Sequence, residues 1–545
     1  MSNPAANAIT QNAQTNNAKY VSIIPENGTE FVSGQKIIFN LDPSLGWIKG
    51  RDSYLVFDIE NISAKLKLSL RNGGISAIIK QVNIFSAQNG MLLESLDNYN
   101  QWQSCEIQYR YDDPTNLTNT EGCPNSIFSK RGLQATNDNT LTYYNWTNNY
   151  AQPESSRLTQ LNNDGTSQNG PVRFTCPLRC GIFRHWDTET LVPILQMGGL
   201  RIELVMADPL EVMDMPYTGN PVSNGGHLSG DAMGLLINVD NFADTATTLV
   251  LTEPMSITAS GLIVGQEIKV SYNANTTILD KTITALALDA ATGKVQITVA
   301  AMTPANTFGD GNMKLNPTTM FIPQNIAYRI RNAEFRLLQE MPPDTKMKTV
   351  DYVFTSYDLF RDSVPQSQTS FNQDVTSVAS KAVSLFTMYE DPQYDGIVNF
   401  PQQSYYQGLA PSELGVNLNS VVYFINNKLY PLRPYNPQRF NDKVINQNEV
   451  VKAFGTLNIA VKSLGSGEHS SLDCYTNRYL HARELARGNS VFNLQNAEPQ
   501  IRIGFSGPRG NDKFAKQIGN IKMNTYVFSK KILHIDGETG LSLEH

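Results

Sequence analysis

The sequence predicts an all-β protein built from two tandem copies of one antiparallel β-sandwich. Three pairs of short patterns recur in the same order in the two halves of the 545-residue chain. Short segments rich in β-branched and aromatic residues, bounded by Gly, Pro, Asn or Asp, follow one another along most of its length. The chain is also too long for one hydrophobic core, so two or three domains are expected. A doubled domain of this kind favours a building block over a catalyst.

The three repeated patterns can be read directly from the sequence. Leu-x-x-Leu-x-x-Tyr-Asn occurs at 93–100 and again at 429–436, each time after an apolar stretch. Leu-Gln at 195–196 precedes Leu-Arg-Ile at 200–202, and Leu-Gln at 494–495 precedes Ile-Arg-Ile at 501–503. The third pair has equal spacing in two sets of four residues, which are Tyr328, Ile330, Phe335, Leu337 and Tyr526, Phe528, Leu533, Ile535. Three matches in one order indicate duplication.

The first strands are expected at residues 20–24, 36–40, 54–59 and 77–85, each bounded by turn-forming residues. Helical periodicity is rare. Its best candidate is residues 477–486, which Gly488 would end, and which predict one short helix on a connection.

The domain boundaries follow from the repeats. Residues 1–17 contain few apolar side chains, so we expect a flexible N-terminal arm. The first sandwich is expected over 18–347 and the second over 348–545, with a Met-Pro-Pro linker at 341–343. A segment at 217–320 with its own hairpin patterns, including a turn at 289–293, predicts a small β module inserted in a loop of the first sandwich. Each sandwich then has a length suited to eight strands.

Composition excludes several functional classes. The net charge is −7 and only 17% of residues are charged, whereas a protein that wraps nucleic acid needs many Lys and Arg to neutralise phosphates. We therefore expect no direct, sequence-specific binding of nucleic acid. The five cysteines are an odd number and do not predict a disulfide framework. Residues 1–17 lack the apolar core of a signal peptide, and no stretch is long and apolar enough to predict a transmembrane segment. We therefore expect synthesis without a signal peptide.

Candidate chemical sites are few and weak. Cys176, Cys180 and His185 suggest a metal cluster, but the spacing is not that of a zinc ribbon, so buried cysteines are the better interpretation. Ser506 lacks the second glycine of a nucleophile elbow. The glycines at 465–467 and 309–311 are typical of turns, and the Asn and Asp clusters at 137–139, 162–164 and 390–395 lack the spacing of a calcium loop. We predict no catalytic residue, no metal site and no cofactor.

Several segments resemble the major capsid proteins with a double jelly roll, most closely those of polinton-like viruses and virophages. One is the run Pro-Leu at 177–178, Gly-Ile-Phe at 181–183, Leu-Val-Pro at 191–193 and Gly-Gly-Leu at 198–200. Another is the closing run 526–543, with Asp-Gly-Glu-Thr-Gly at 536–540. These motifs reflect strands and turns, not chemistry.

The resemblance implies two tandem eight-stranded jelly rolls per chain and homotrimeric capsomers with a pseudo-hexagonal outline that tile an icosahedral shell. It also implies a location in the virion, contacts with neighbouring capsomers and with penton and minor capsid proteins, and no catalysis. The inserted module would then face outward as a tower, and the arm would lie inside the shell or between capsomers.

The alternative is a carbohydrate-binding or carbohydrate-active β-sandwich, either an adhesin or a glycosidase. It would share the strands, the polar loops and the low charge. A glycosidase needs two carboxylates facing across a cleft, and the sequence cannot place such a pair. Fold-level analogy supplies much of the capsid interpretation.

Overall fold

The structure is a computed structural model. It describes residues 18–62, 67–70, 74–109, 121, 133–135, 141–143, 160–162, 171–187, 191–214, 234–239, 247–254, 257, 264–265, 267–272, 277–300, 318–323, 327–340, 349–365, 368, 370–390, 418–426, 428–435, 440–461, 480–486, 490–495, 499–505, 521–536 and 540–545.

In the first half of the chain, the described residues lie mainly in β-strands. Its strands, in chain order, are β1 (Lys19–Ile23), β2 (Glu30–Val32), β3 (Lys36–Leu41), β4 (Trp47–Asn61), β5 (Lys67–Leu70), β6 (Ile79–Ser86), β7 (Leu92–Leu96), β8 (Leu133–Ala135), β9 (Leu141–Tyr143), β10 (Gln160–Asn162), β11 (Val172–Pro177), β12 (Leu200–Met206) and β13 (Met213–Asp214). The helices whose bounds the structure describes here are α1 (Tyr99–Tyr109) and α2 (Pro209–Val212), with 3-10 turns at Pro43–Leu45 and Gly74–Ile78.

The remaining elements belong to an inserted barrel and to the second half. The barrel strands are β14 (Gly234–Val239), β15 (Thr248–Pro254), β16 (Glu267–Tyr272), β17 (Thr277–Leu288), β18 (Lys294–Val299) and β19 (Thr318–Pro323). Then follow β20 (Tyr328–Glu340), β21 (Thr349–Val364), β22 (Ser370–Asp374), β23 (Ala382–Glu390), β24 (Leu418–Ile425), β25 (Lys428–Tyr435), α3 (Phe440–Gly455), β26 (His481–Glu484), β27 (Gln500–Phe505), β28 (Ile521–Asp536) and β29 (Gly540–Glu544).

Both halves have the same strand order. Sheet 1 runs β1-β20-β4-β11, with β2 also on β20, and sheet 2 runs β3-β12-β6-β7. Sheet 3 runs β21-β28-β23-β26, with β29 also on β28, and sheet 4 runs β22-β27-β24-β25. Numbered within each half, the eight principal strands are ordered 1-8-3-6 in one sheet and 2-7-4-5 in the other. Two four-stranded antiparallel sheets in this order form a jelly roll, so the predicted double jelly roll is confirmed.

The repeated patterns lie on equivalent strands. The Leu-x-x-Leu patterns begin in the fifth strands, β7 and β25, and the Arg-centred triplets lie in the seventh strands, β12 and β27. The third pair lies in the eighth strands, β20 and β28, where all eight of its side chains are buried. One position differs, since Leu195 is 52% exposed and its counterpart Leu494 is buried. The two halves therefore agree more closely at the strand positions of the patterns than at the loop positions.

The inserted module is a closed barrel in the order β14-β15-β18-β17-β16-β19. It lies between the seventh and eighth strands of the first jelly roll, as the sequence predicts. Buried side chains fill it, among them Leu249, Leu251, Ile268, Val295 and Ile297. Its predicted limits at 217 and 320 and the predicted boundary at 347 stay predictions. The 1–17 arm and the 341–343 linker lie outside the described residues.

The helix predicted over 477–486 is wrong. Its described part forms strand β26, which pairs with β23 between Ser384↔Glu484 and Thr387↔His481. Residues 480–486 include Arg, Glu, Leu and Ala, which favour helix locally, but sheet pairing and burial of Leu480, His481 and Ala482 prevail. The helix between the fifth and sixth strands of this half is instead α3.

Candidate functional site: the junction between the two jelly rolls

A buried polar network joins the first jelly roll to the second. Residues 178–187 follow β11 and lie against β21 of the second jelly roll. Tyr352 donates its hydroxyl hydrogen to the Ile182 carbonyl at 2.6 Å, and Asp187 accepts from the backbone and the hydroxyl of Thr355 at 2.8 and 2.7 Å. The loop 178–187, which belongs to the first jelly roll, is therefore in direct contact with the second.

Glu94 binds the loop 178–187 through its carboxylate. Its carboxylate accepts from the backbone N–H groups of Gly181 and Ile182 at 2.8 and 2.9 Å and from the hydroxyl of Ser356 at 2.6 Å. The side chain is buried, and that burial raises the pKa of Glu94 above its ordinary value. One carboxylate of the first jelly roll thus binds both the loop 178–187 and β21.

A second buried carboxylate, Glu106 of α1, orients three rings. It accepts from the indole N–H groups of Trp102 and Trp186, both at 2.9 Å, and lies 2.8 Å from Nε2 of His185. Three partners compensate the cost of removing this carboxylate from water. The two tryptophans are consequently fixed in position on the second jelly roll.

Trp102 of α1 is the centre of an aromatic cluster contributed mostly by the second jelly roll. Its ring centroid lies 4.8–6.1 Å from those of Tyr357, Phe386, Phe454, Tyr526 and Phe528. All six rings are buried. Aromatic pairs at these distances add to the free energy gained from apolar burial. The junction is therefore packed like a domain core.

The same hydrophobic cluster contains the core of the first jelly roll and these rings, whereas the core of the second jelly roll forms a separate cluster around Leu385, Val421 and Ile503. One face of sheet 3 thus belongs to the core that the first jelly roll builds. The two domains consequently behave as one packed body.

The predicted candidates Cys176, Cys180 and His185 do not form a site together. Cys176 lies in β11 and Cys180 in the loop after it, both buried with free thiols. Burial raises the pKa of the Cys176 thiol to about 12 and also raises that of Cys180, which disfavours the thiolate needed for metal binding. His185 contacts Glu106. Among the described residues, no group of three or more His, Cys, Asp or Glu side chains is placed to hold a metal ion.

The other sequence candidates are mostly beyond what the structure describes. Ser506 and the segments 137–139, 309–311 and 465–467 lie outside the described residues, as do 163–164 and 391–395. The absence of a catalytic, metal or cofactor site stays a prediction. Within the described ranges, no helix has both the length and the apolar character needed to cross a membrane.

Sequence reasoning missed Glu94 and Glu106. Glu94 lies within the first repeated pattern, between Leu93 and Leu96, and Glu106 lies four residues after Trp102. The only available signal was a carboxylate among residues expected to be buried, and a single sequence does not reveal that a second domain covers it. Helix α1 was missed because its buried side includes Gln101, Gln103 and Glu106, which removes the apolar periodicity.

The whole chain is similar to solved virus structures. PBCV-1 VP54, fitted into a reconstruction of the virophage Sputnik, aligns with this chain with a TM-score of 0.46 at 10% sequence identity. The alignment covers 98% of this chain and 98% of that one. The Sputnik virophage structure gives 0.46 at 10% identity, covering 97% of this chain and 88% of that one. The mavirus major capsid protein gives a TM-score of 0.39 at 10% identity, and the alignment covers 96% of this chain and 90% of that one.

No protein-family model and no curated protein matches the sequence. The strand order of its own two halves defines the fold. The chain is a double jelly-roll protein with a six-stranded barrel inserted in its first jelly roll.

Proposed function

We propose that this chain is the major capsid protein of an icosahedral virus and that it forms homotrimeric capsomers with a pseudo-hexagonal outline. The observation that carries the proposal is the junction, in which two jelly rolls of identical strand order are packed through one buried core. A doubled domain held rigidly lets three chains present six similar sandwiches, and six similar sandwiches can tile a hexagonal lattice.

The chemistry of the chain agrees with a structural role. The buried carboxylates Glu94 and Glu106 of the junction accept hydrogen bonds from the loop 178–187 of the first jelly roll, and Glu94 also accepts one from Ser356 of the second. With 17% charged residues the chain has few charges to desolvate when copies associate. The proposed partners are further copies of this chain, then penton and minor capsid proteins, and the proposed location is the virion shell.

The insertion point of the barrel indicates where it would lie in the proposed capsomer. It is inserted between the seventh and eighth strands, and loops of a jelly roll leave from the ends of the sandwich. We assign it to the outer surface of the capsomer as a tower, and the 1–17 arm to the inner surface or the gaps between capsomers.

The mass of the purified protein tests the proposal. Light scattering after size-exclusion chromatography should give about three times the 60.5 kDa of one chain, followed by larger assemblies at higher concentration. A protein that stays at 60.5 kDa at all concentrations would contradict the proposal. Glycan turnover by such a monomer would favour the carbohydrate-active alternative.

A further inference from the structure

The first and eighth strands of the second jelly roll bring a buried lysine into contact with a carboxylate. Lys531 of β28 places Nζ 3.0 Å from Oδ1 of Asp358 on β21. The two strands pair with each other along their whole length. The contact therefore joins the strand that opens this jelly roll to the strand that completes it.

Lys531 differs from the other lysines of the described ion pairs. Its side chain is 4% exposed, whereas theirs are 23–52% exposed. Its ammonium group has three N–H donors, and Asp358 is the one hydrogen-bond partner that it has among the described residues. A buried cation with so few partners is held in the fold at a cost in free energy.

The face of the two strands beside this pair is closed to water. Ser356 and Ser529 lie directly opposite each other and are fully buried, two residues along their strands from Asp358 and Lys531. Ser356 donates its hydroxyl hydrogen to Glu94, whose pKa is raised by burial and is lowered in opposition by the charge of Lys531. The Ser529 hydroxyl has no partner among the described residues, so it is free to donate to an oxygen that forms beside it.

Asp358 is the open side of the site. Its side chain is 34% exposed, whereas that of Lys531 is enclosed. A small molecule released at the carboxyl carbon can therefore leave to solvent while the amine stays shielded. In a surface ion pair, by contrast, water solvates both groups.

We propose that Lys531 and Asp358 condense to form an isopeptide bond between β28 and β21. The ammonium first gives one proton to the carboxylate, which leaves an uncharged amine beside an uncharged acid, the form that a site closed to water favours. Nζ then attacks Cγ, and the bond from Cγ to the protonated oxygen breaks. That oxygen leaves as water with its own proton and one proton from Nζ. No oxidant, reductant or further reactant is consumed, and the fold supplies the proximity.

The bond would remove the buried charge and join the two strands covalently. The first and eighth strands of the second jelly roll then could not separate, even in an unfolded chain. The inference goes beyond the proposed capsid role and does not depend on it, since the reaction takes place within one chain.

The mass of the intact wild-type protein tests the inference. The main species should lie about 18 Da, the mass of one water, below the mass calculated from the sequence. Trypsin should release the peptide 349–361 joined to the peptide that begins at Lys531, because trypsin does not cleave after an acylated lysine. Wild type at its calculated mass, with these two peptides separate, would overturn the inference. A loss of water located at another residue would also overturn it.

Two variants separate the bond from an ordinary ion pair. Lys531→Arg keeps the positive charge beside Asp358 but removes the amine, so this protein should have its full calculated mass. Lys381→Arg is the matched control, because it alters the ion pair with Glu544 on the same sheet and should keep the mass deficit. A deficit that persists in Lys531→Arg would contradict the assignment to Lys531. The measurement on wild type decides the question even where a variant fails to fold.

Discussion

Gly181 is the position at which the junction is most sensitive to one added methyl group. A Cβ at this residue would lie 2.2 Å from the Thr355 carbonyl oxygen and 2.8 Å from Glu94 Oε1. It would also lie 2.8 Å from Cδ2 of Phe354. The obstructing Thr355 oxygen belongs to the backbone of β21, which is paired along its whole length with β28. Gly181→Ala therefore forces the loop 178–187 away from the second jelly roll.

The expected cost can be worked from these contacts. Carbon–oxygen contacts are ordinarily about 3.3 Å or longer, so the loop must move by about 1 Å. Overpacking of this size costs about 1–3 kcal/mol. The displacement also stretches the bonds from the Gly181 and Ile182 N–H groups to Glu94, at about 1–3 kcal/mol for an under-satisfied buried carboxylate. We expect a loss of about 2–6 kcal/mol in the free energy of unfolding.

Urea unfolding at one fixed protein concentration measures this loss, since assembly itself adds to stability. Gly455→Ala at the end of α3 is the matched control. A Cβ there meets no atom within 4 Å, and alanine in a helix is favoured over glycine by about 0.5–1 kcal/mol. The control should therefore equal or exceed wild type in stability. A Gly181→Ala protein within 1 kcal/mol of wild type would refute the close approach of the two jelly rolls.

Three further predictions concern the same junction. Trp102→Ala should lower the free energy of unfolding by about 3–5 kcal/mol in the same urea assay, and Trp102→Phe by clearly less because most of the ring remains; equal losses would contradict the aromatic cluster. Because burial raises the pKa of Glu94 above its ordinary 4.5, its native state binds protons more readily than the unfolded state, so wild type should lose stability relative to Glu94→Gln as the pH rises from 4.5 through the raised pKa. A difference that does not change with pH would contradict the burial of that carboxyl. Iodoacetamide at pH 8 should leave Cys105, Cys176 and Cys180 unmodified in the native protein and label them in urea, as peptide mass spectrometry would detect; fast native labelling of Cys176 would contradict its raised thiol pKa.

Most of the fold could be predicted from the sequence, because strands of a sandwich tend to alternate buried and exposed side chains. The third repeated pattern identified the eighth strand in each half, because all eight of its side chains are buried in β20 and β28. The partners differ, since Phe335 packs on Phe39 inside its own sandwich, whereas Tyr526 and Phe528 pack on Trp102 of the first jelly roll. The inserted module was visible from its hairpins, of which β17 and β18 are joined by a turn in which Asp289 accepts from the Ala291 N–H at 2.9 Å.

The junction could not be predicted in this way. Glu94, Glu106 and Trp102 depend on partners more than 70 residues away in the sequence, and no local period signals such contacts. The misplaced helix at 477–486 has the same cause, because local helix propensity there yields to pairing with β23 across nearly a hundred residues. Helix α1 was missed because polar side chains such as Gln101, Gln103 and Glu106 are buried on it, which removes the apolar period of a helix.

The central claim is that two jelly rolls per chain, fixed as one body, make a six-sided trimer. Single-particle electron microscopy of the purified protein, viewed along its symmetry axis, tests this most directly. The account predicts a ring of six similar lobes with threefold symmetry. Rings of three lobes, or isolated two-lobed particles, would contradict it.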